Sequence, residues 1–187
     1  MAAVRGLDKQ GTIYATDSTG SVWRIPKHGT AQLWAEGPLL EGTGGAGAAF
    51  PIGANGIAVL PHEVIVANTD RGVLVRIPVR PDGSAGTPSV LLSSPLLVGV
   101  DGMALDVHGT IYAVIGTQNL VLRIDPGGAI TTLATAADGL NQPSTVAFGT
   151  GKAGHTTLYI ANFSLFSPAP TPGVLTLKVG VPGRPLP

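Results

Sequence analysis

The sequence predicts an all-β chain made of β-propeller blades, and three observations carry that prediction. Short apolar runs rich in Val, Ile, Leu and Tyr alternate with turns containing Gly and Pro, a pattern of sandwiches, barrels and propellers. No segment of ordinary helix length shows an apolar period of 3.6 residues. A repeat of forty-six residues runs through the chain: Asn55-Gly56-Ile57-Ala58-Val59 and Val64–Asn68 return as Asp101-Gly102-Met103-Ala104-Leu105 and Ile111-Tyr112-Ala113. Within each copy the two alanines, Ala58 and Ala67 or Ala104 and Ala113, stand nine residues apart. Four short strands in about 46 residues is the period of a propeller blade.

Taken in order, the blade-like repeats cover about 3–37, 55–94, 101–135 and 144–180, as one partial propeller domain of about four blades. In the first, Thr12-Ile13-Tyr14-Ala15 matches Thr110-Ile111-Tyr112-Ala113, and Ser21–Ile25 matches Leu120–Ile124. Counting back nine from Ala15 sets Gly6 where Ala58 and Ala104 stand, and Ala3 where Asn55 and Asp101 stand. The second is the fullest, with strands expected at Asn55–Val59, Val64–Asn68, Gly72–Val79 and Ser89–Ser93 and a strong turn at Arg80-Pro81-Asp82-Gly83. The third ends on the turn Asp125-Pro126-Gly127-Gly128 and an outer strand over Ala129–Ala134. The fourth has Ser144–Phe148, Thr157–Asn162 and Gly173–Val179, with a longer turn over Gly149–Thr156.

Between the first two repeats lies a Gly- and Ala-rich connector, residues 38–53. Gly42, Gly44 and Gly47 form a GxGxxG, but Pro51 and Gly53 follow where a dinucleotide site needs a helix. The connector reads as a mobile loop.

Composition removes several functions. Lys plus Arg equals Asp plus Glu at 11 each, and no basic cluster exists, so nucleic acid and anionic membrane surfaces are poor partners. With 44% hydrophobic and 12% charged residues the chain is not disordered. The absence of cysteine rules out disulfides, thiol catalysis and Cys-ligated zinc. No apolar run approaches the roughly 18–20 residues of a membrane span, and the first residues lack the apolar core of a signal peptide. The expectation is a soluble product, cytoplasmic as written and extracytoplasmic if a longer precursor exists. The four histidines fall in turns without metal-ligand spacing, and Gly149-Thr150-Gly151-Lys152-Ala153 fails the phosphate-loop pattern.

Ala54-Asn55-Gly56-Ile57-Ala58, Val66-Ala67-Asn68-Thr69-Asp70, Asp82-Gly83-Ser84-Ala85-Gly86, Val100-Asp101-Gly102-Met103-Ala104 and Pro143-Ser144-Thr145-Val146-Ala147-Phe148-Gly149 carry a resemblance. They resemble the gluconolactonase and regucalcin family of six-bladed propellers. Strictosidine synthase-like and NHL propellers share such motifs, so a non-catalytic scaffold or binding module is the alternative. The resemblance implies a calcium-dependent lactone hydrolase with a divalent cation in the central channel, and a lactone or sugar-derived ligand. It makes Asn55 and Asp101 the metal ligands, with Asp101 also the catalytic base. The family's first-blade Glu has no counterpart here.

Residues at the same end of inner strands converge in a propeller, which suits the roughly 6–8 oxygens that calcium takes. Plainer readings stand beside the sharp ones: Asp101 as a turn cap and Asn55 as part of an Asn-Gly turn. Asn68, Thr69, Asp70, Asp17, Asn162 and Ser144 are candidate substrate-facing residues, with loop hydrogen bonding as their ordinary role. Arg24, Arg76 and Arg123 recur at one position of the third strand and read as blade-surface residues. Trp23 and Trp34 read as packing residues. Four blades out of six imply a truncated propeller, whose open flanks invite self-association.

Overall fold

The computed structural model describes residues 5–185. Its strands form four antiparallel sheets, each a meander in which strands pair in chain order. The first contains β1 (Arg5–Leu7), β2 (Ile13–Asp17), β3 (Ser21–Ile25) and β4 (Gln32–Glu36). The second contains β5 (Ala54–Val59), β6 (Glu63–Asn68), β7 (Val73–Pro78) and β8 (Ser89–Ser93). The third contains β9 (Val100–Leu105), β10 (Ile111–Ile115), β11 (Leu120–Ile124) and β12 (Ile130–Ala134). The fourth has three strands: β13 (Pro143–Phe148), β14 (Thr157–Asn162) and β15 (Gly173–Lys178). The long turn before β14 holds a single helical turn, α1 (Gly151–Gly154).

Local chemistry explains the turns. Asp8 Oδ1 accepts from the N–H groups of Gln10 and Thr12 at 2.9 and 2.8 Å. Asp106 does the same with His108 and Thr110, and Asp125 with Gly127 and Ala129. A short carboxylate thus stands in for a backbone acceptor and closes each hairpin. Asp106 also receives the Tyr112 hydroxyl at 3.3 Å; burial, then the Asp106 charge, pushes the Tyr112 phenol up, so it stays a neutral donor.

The chain divides into two compact units, with the boundary at Val100. In the first unit Tyr14, Val22 and Ala35 of one sheet share a core with Ile57, Val64, Val66 and Val75 of the next. In the second, Tyr112, Val114 and Val121 share a core with Val146, Leu158 and Ile160. Each fully buried aliphatic side chain contributes about 1.5–3 kcal/mol, so these paired faces hold the sheets together.

Three expectations need correction. The nine-residue spacing equates Ala67 with Ala113, yet the arginines show a slip of one. Arg76 pairs with Ile65 and Arg123 with Tyr112, so Ala67 lies two residues beyond its reference and Ala113 one. The cause is turn length: Leu60 to Glu63 closes over four residues, Asp106 to Thr110 over five. The two alanines therefore sit on opposite sheet faces, since strand side chains alternate. Trp34 packs edge-on against Tyr14 at 4.9 Å, as expected of a packing residue, whereas Trp23 is exposed. The connector is not a loose loop, because Asn68 and Asp70 bond to its backbone.

Candidate functional site

The site builds outward from one position of the inner strands. Asn55, Asp101 and Ser144 are each the second residue of β5, β9 and β13. At Asn55 and Ser144 the ladder slips: Ala54 pairs with Asn68 and Ile57 with Val66, Pro143 with Asn162 and Thr145 with Ala161. Both residues thus lie in a β-bulge, a device that re-aims a side chain out of the regular pleat. No sequence signal marks these bulges apart from the polar residue itself.

Asn55 is buried, and its Nδ2 donates to Thr69 Oγ1 at 3.1 Å. Thr69 Oγ1 in turn donates to the Val100 carbonyl at 2.7 Å. The backbone carbonyl of Asn55 accepts from the Thr16 hydroxyl. Asn55 Oδ1, by contrast, is buried without a hydrogen-bond partner. An unsatisfied buried acceptor costs about 1–3 kcal/mol, so a native structure holding one needs a reason.

The two residues beside Thr69 are occupied in fixing the connector. Asp70 is buried, and its carboxylate accepts four backbone N–H groups: Thr43 (2.9 Å), Gly44 (2.7 Å), Ala46 (3.1 Å) and Ile52 (2.7 Å). Burial alone would raise the Asp70 pKa, but the four N–H donors together hold it below the ordinary carboxylate value. Glycine is required for this approach, since a Cβ on Gly45 would lie 2.6 Å from the Asp70 carbonyl oxygen. Asn68 Nδ2 donates to the carbonyls of Leu39 and Glu41, both at 3.0 Å, and its Oδ1 caps the Arg71 N–H. The connector is pinned by Asn68 and Asp70. A Gly cluster facing a solitary Asp at a strand end was the available sequence signal.

The remaining candidates are more dispersed. Asp17, at the end of β2, accepts from both the N–H and the hydroxyl of Thr19, which lowers its pKa. Asn162 repeats the Asn68 arrangement in the second unit: its Nδ2 donates to Gly139 O at 2.8 Å and its Oδ1 accepts from Asn141 N–H. Asp101 and Ser144 are partly exposed on β9 and β13 of that unit. Ala3, aligned with Asn55 by counting, lies outside the described residues. Among the predicted residues, the structure therefore joins Asn55 directly to Thr69, and places Asn68 and Asp70 beside them.

Among the described residues no group of three or more His, Asp or Glu side chains is placed to hold a metal. The oxygen chemistry nonetheless fits one ligand of a hard cation: Asn55 Oδ1 is an amide oxygen, buried, with its lone pairs unused. No described helix is long and apolar enough to cross a membrane.

Comparison with known proteins adds the following. The family described as the SMP-30/Gluconolactonase/LRE-like region matches residues 51–164. A luciferin-regenerating enzyme has a similar structure, with a TM-score of 0.73 at 15% identity, covering 98% of this chain and 63% of that one. The calcium-binding protein regucalcin from Agrobacterium tumefaciens gives 0.72 at 20% identity, covering 98% and 63%. A gluconolactonase from Xanthomonas campestris gives 0.64 at 18% identity, covering 96% and 56%. These likenesses establish the β-propeller fold. The chain spans less than two thirds of each of these structures. Comparison with curated proteins finds no match.

Proposed function

The chain belongs to the SMP-30/gluconolactonase/LRE-like family, and from that premise we propose a divalent-cation-dependent lactone hydrolase, with calcium the favoured ion. The observation that carries this reading is the buried, unpartnered Oδ1 of Asn55. A cation would give that oxygen the partner the protein does not, and the printed description of regucalcin as calcium-binding favours calcium. Asp101, at the same inner-strand position one repeat later, is the proposed anionic ligand and base.

When bound, a divalent cation polarises a carbonyl oxygen and makes water more acidic. The chain's own residues do the rest. Asn55 offers its amide oxygen, and the bond from its Nδ2 to Thr69 fixes which end of the amide points where. Asp101 takes a proton from the water that adds to a lactone carbonyl, a general-base role within reach of a carboxylate. Thr69 positions Asn55, and Asp70 holds the connector that runs into β5. Of the remaining candidates, Asp17 and Ser144 are proposed substrate-facing residues for a lactone or sugar-derived ligand, whereas Asn68 and Asn162, buried and hydrogen-bonded at both ends of their amides, hold the neighbouring loops.

A second reading is favoured by the small donor set. Without three clustered acidic or imidazole groups among the described residues, a binding module that has lost the chemistry is the alternative. Thermal unfolding with and without millimolar calcium, followed by lactone hydrolysis with Asp101→Ala as the control, separates the two. A native-state ligand at 100 times its Kd stabilises by about 2.7 kcal/mol, which a melt resolves easily. A calcium-dependent rise in Tm with hydrolysis that Asp101→Ala abolishes supports the enzyme. A cooperative melt indifferent to calcium, without hydrolysis, selects the binding module. Hydrolysis that survives Asp101→Ala overturns the site assignment.

A further inference from the structure

One turn of the second unit is longer than the fold requires. Asn162 pairs with Gly173 at the close of β14, as Asn68 pairs with Val73 at the close of β6. Between these pairs the second sheet has four residues, 69–72, and the fourth sheet has ten, 163–172. Phe163 and Ser164 therefore stand where Thr69 and Asp70 stand, and Thr171 and Pro172 where Arg71 and Gly72 stand. Leu165-Phe166-Ser167-Pro168-Ala169-Pro170 is an insertion, and it contains no charged residue. The Thr171 N–H donates to Ser164 Oγ at 2.7 Å, which closes the insertion at its base, and Ser164 is wholly buried.

The insertion is pinned, yet it presents apolar side chains to solvent. Asn119, Gln142 and Ser164 are the non-glycine residues with positive φ among the described residues, at 54°, 49° and 58°. The Gln142 N–H donates to Asn119 Oδ1 at 2.6 Å, and Gln142 Oε1 accepts the Phe166 N–H at 2.8 Å. The Phe163 N–H donates to the Gln142 carbonyl at 3.0 Å. Asn141 Nδ2 donates to the Ala169 carbonyl at 2.8 Å and to the Thr171 hydroxyl at 3.0 Å. Backbone in such sparsely populated conformations persists where the surroundings over-determine it, and it clusters at ligand clamps. On this frame Leu165 and Phe166 are 62% and 79% exposed, with the Phe166 ring edge-on to Phe163 at 6.3 Å.

Their exposure belongs to the insertion rather than to an uncovered sheet face. In the second sheet, Thr69 and Gly72 accept N–H groups from the stretch that follows, Gly99 and Ser94. A following stretch would thus reach the positions of Phe163 and Pro172, and the inserted residues have no counterpart in that contact. What they adjoin is set by the inner strands. A Cβ on Gly102 would lie 2.7 Å from the Thr145 Cα, so β9 and β13 run side by side with Asp101 and Ser144 near their starts. The loop leaves β14 opposite that start, since Pro143 pairs with Asn162.

We infer that Leu165 and Phe166 form an apolar subsite at the Asp101 end of the second unit, which selects lactones bearing an alkyl or aryl substituent over bare or polyhydroxylated ones. The lactone itself rests on the hydrolase reading; the apolar contact does not require turnover. A fully buried methylene is worth roughly fourfold in affinity, so a hexyl chain half-covered by these two side chains gains at least about tenfold.

The test separates binding from hydrolysis. Ligand-observed NMR titrations at millimolar calcium compare two non-hydrolysable six-membered lactams, one unsubstituted and one with a hexyl group beside the ring nitrogen. The unsubstituted chain should bind the hexyl lactam at least about tenfold more tightly. Leu165→Ser with Phe166→Ser should reduce that advantage to about twofold or less and leave the unsubstituted lactam unaffected. Circular dichroism and a cooperative melt check the fold; should the double variant fail, the single variants, each at an exposed position, should each lose part of the advantage. Turnover of the corresponding hexyl and unsubstituted lactones is measured in parallel, and the substitutions should raise KM for the hexyl lactone alone. Hexyl-selective binding without any hydrolysis would defeat the hydrolase reading and leave the subsite standing. Equal affinity for the two lactams, or a hexyl advantage that survives both substitutions, overturns the subsite. So does equal lactam affinity combined with loop-dependent sedimentation on phosphatidylcholine vesicles, which would make the insertion a lipid contact.

Discussion

Two buried polar residues of the first unit stand in opposite circumstances. Asp70 has four donors for two oxygens, and Asn55 has an oxygen with none. For Asp70 the consequence is a pH-dependent anchor. Its pKa is lowered in the folded state, so the stability it contributes is fully present above the unfolded value and is lost as pH falls through the folded one. That window lies below about pH 4, the ordinary carboxylate value. Asp70→Asn replaces one acceptor oxygen by a donor group facing N–H donors, and should cost about 1–3 kcal/mol at pH 7. Urea unfolding at pH 7 and near pH 3 checks this: the gap between the two proteins should narrow in acid, and a gap that stays constant would refute the anchor. For Asn55 the expectation has the opposite sign. Asn55→Leu removes an unsatisfied acceptor and leaves the Thr69 hydroxyl still bonded to Val100, so stability without calcium should change by no more than about 1 kcal/mol. Any calcium-dependent rise in Tm should vanish in the same variant. A large calcium-free loss of stability would show that Asn55 is there for the fold.

At the scale of elements, the strands were legible and their registers were not. The forty-six-residue repeat located the inner strands, the turns at Asp82 and Asp125, and the polar position shared by Asn55 and Asp101. Spacing alone could not reveal that Ala67 and Ala113 face opposite ways, because the same nine-residue count spans a four-residue turn in one repeat and a five-residue turn in the other. Nor could it find the connector's anchorage, since Asp70 is distant in sequence from the N–H groups it accepts, and only the fold brings them together. The lone oxygen of Asn55 is likewise a property of packing rather than of residue type. Close packing between inner strands yields a further expectation. A Cβ on Gly102 of β9 would lie 2.7 Å from the Thr145 Cα and 3.0 Å from the Ser144 carbonyl of β13, both backbone atoms that cannot swing aside. Gly102→Ala should therefore destabilise by about 1–3 kcal/mol, the usual cost of overpacking, and Gly102→Val by more. Equal stability of Gly102→Ala and the unsubstituted chain in a denaturant titration would mean that β9 and β13 are free to separate.

For the whole molecule, the balance of forces follows from how little charge there is. Formal net charge is zero, and the ion pair between Arg76 and Glu63, at 2.7 Å, lies on partly exposed side chains. Such a pair contributes about 0–1 kcal/mol and is screened by salt. The cores at Tyr14 with Val66 and at Tyr112 with Ile160 are built from aliphatic and aromatic groups, whose burial does not depend on ionic strength in this way. Even Asp70 is held by backbone N–H groups at hydrogen-bond distance, where screening has little reach. Raising sodium chloride from about 50 to 500 mM, which shortens the screening length several-fold, should therefore move Tm by less than about 4 °C, the shift that 1 kcal/mol produces in a chain of this size. Sodium sulfate at equal ionic strength should raise Tm, because it strengthens apolar burial rather than merely screening charge. A melt that collapses in chloride would instead place the stability in charge pairs and contradict the apolar account of both units.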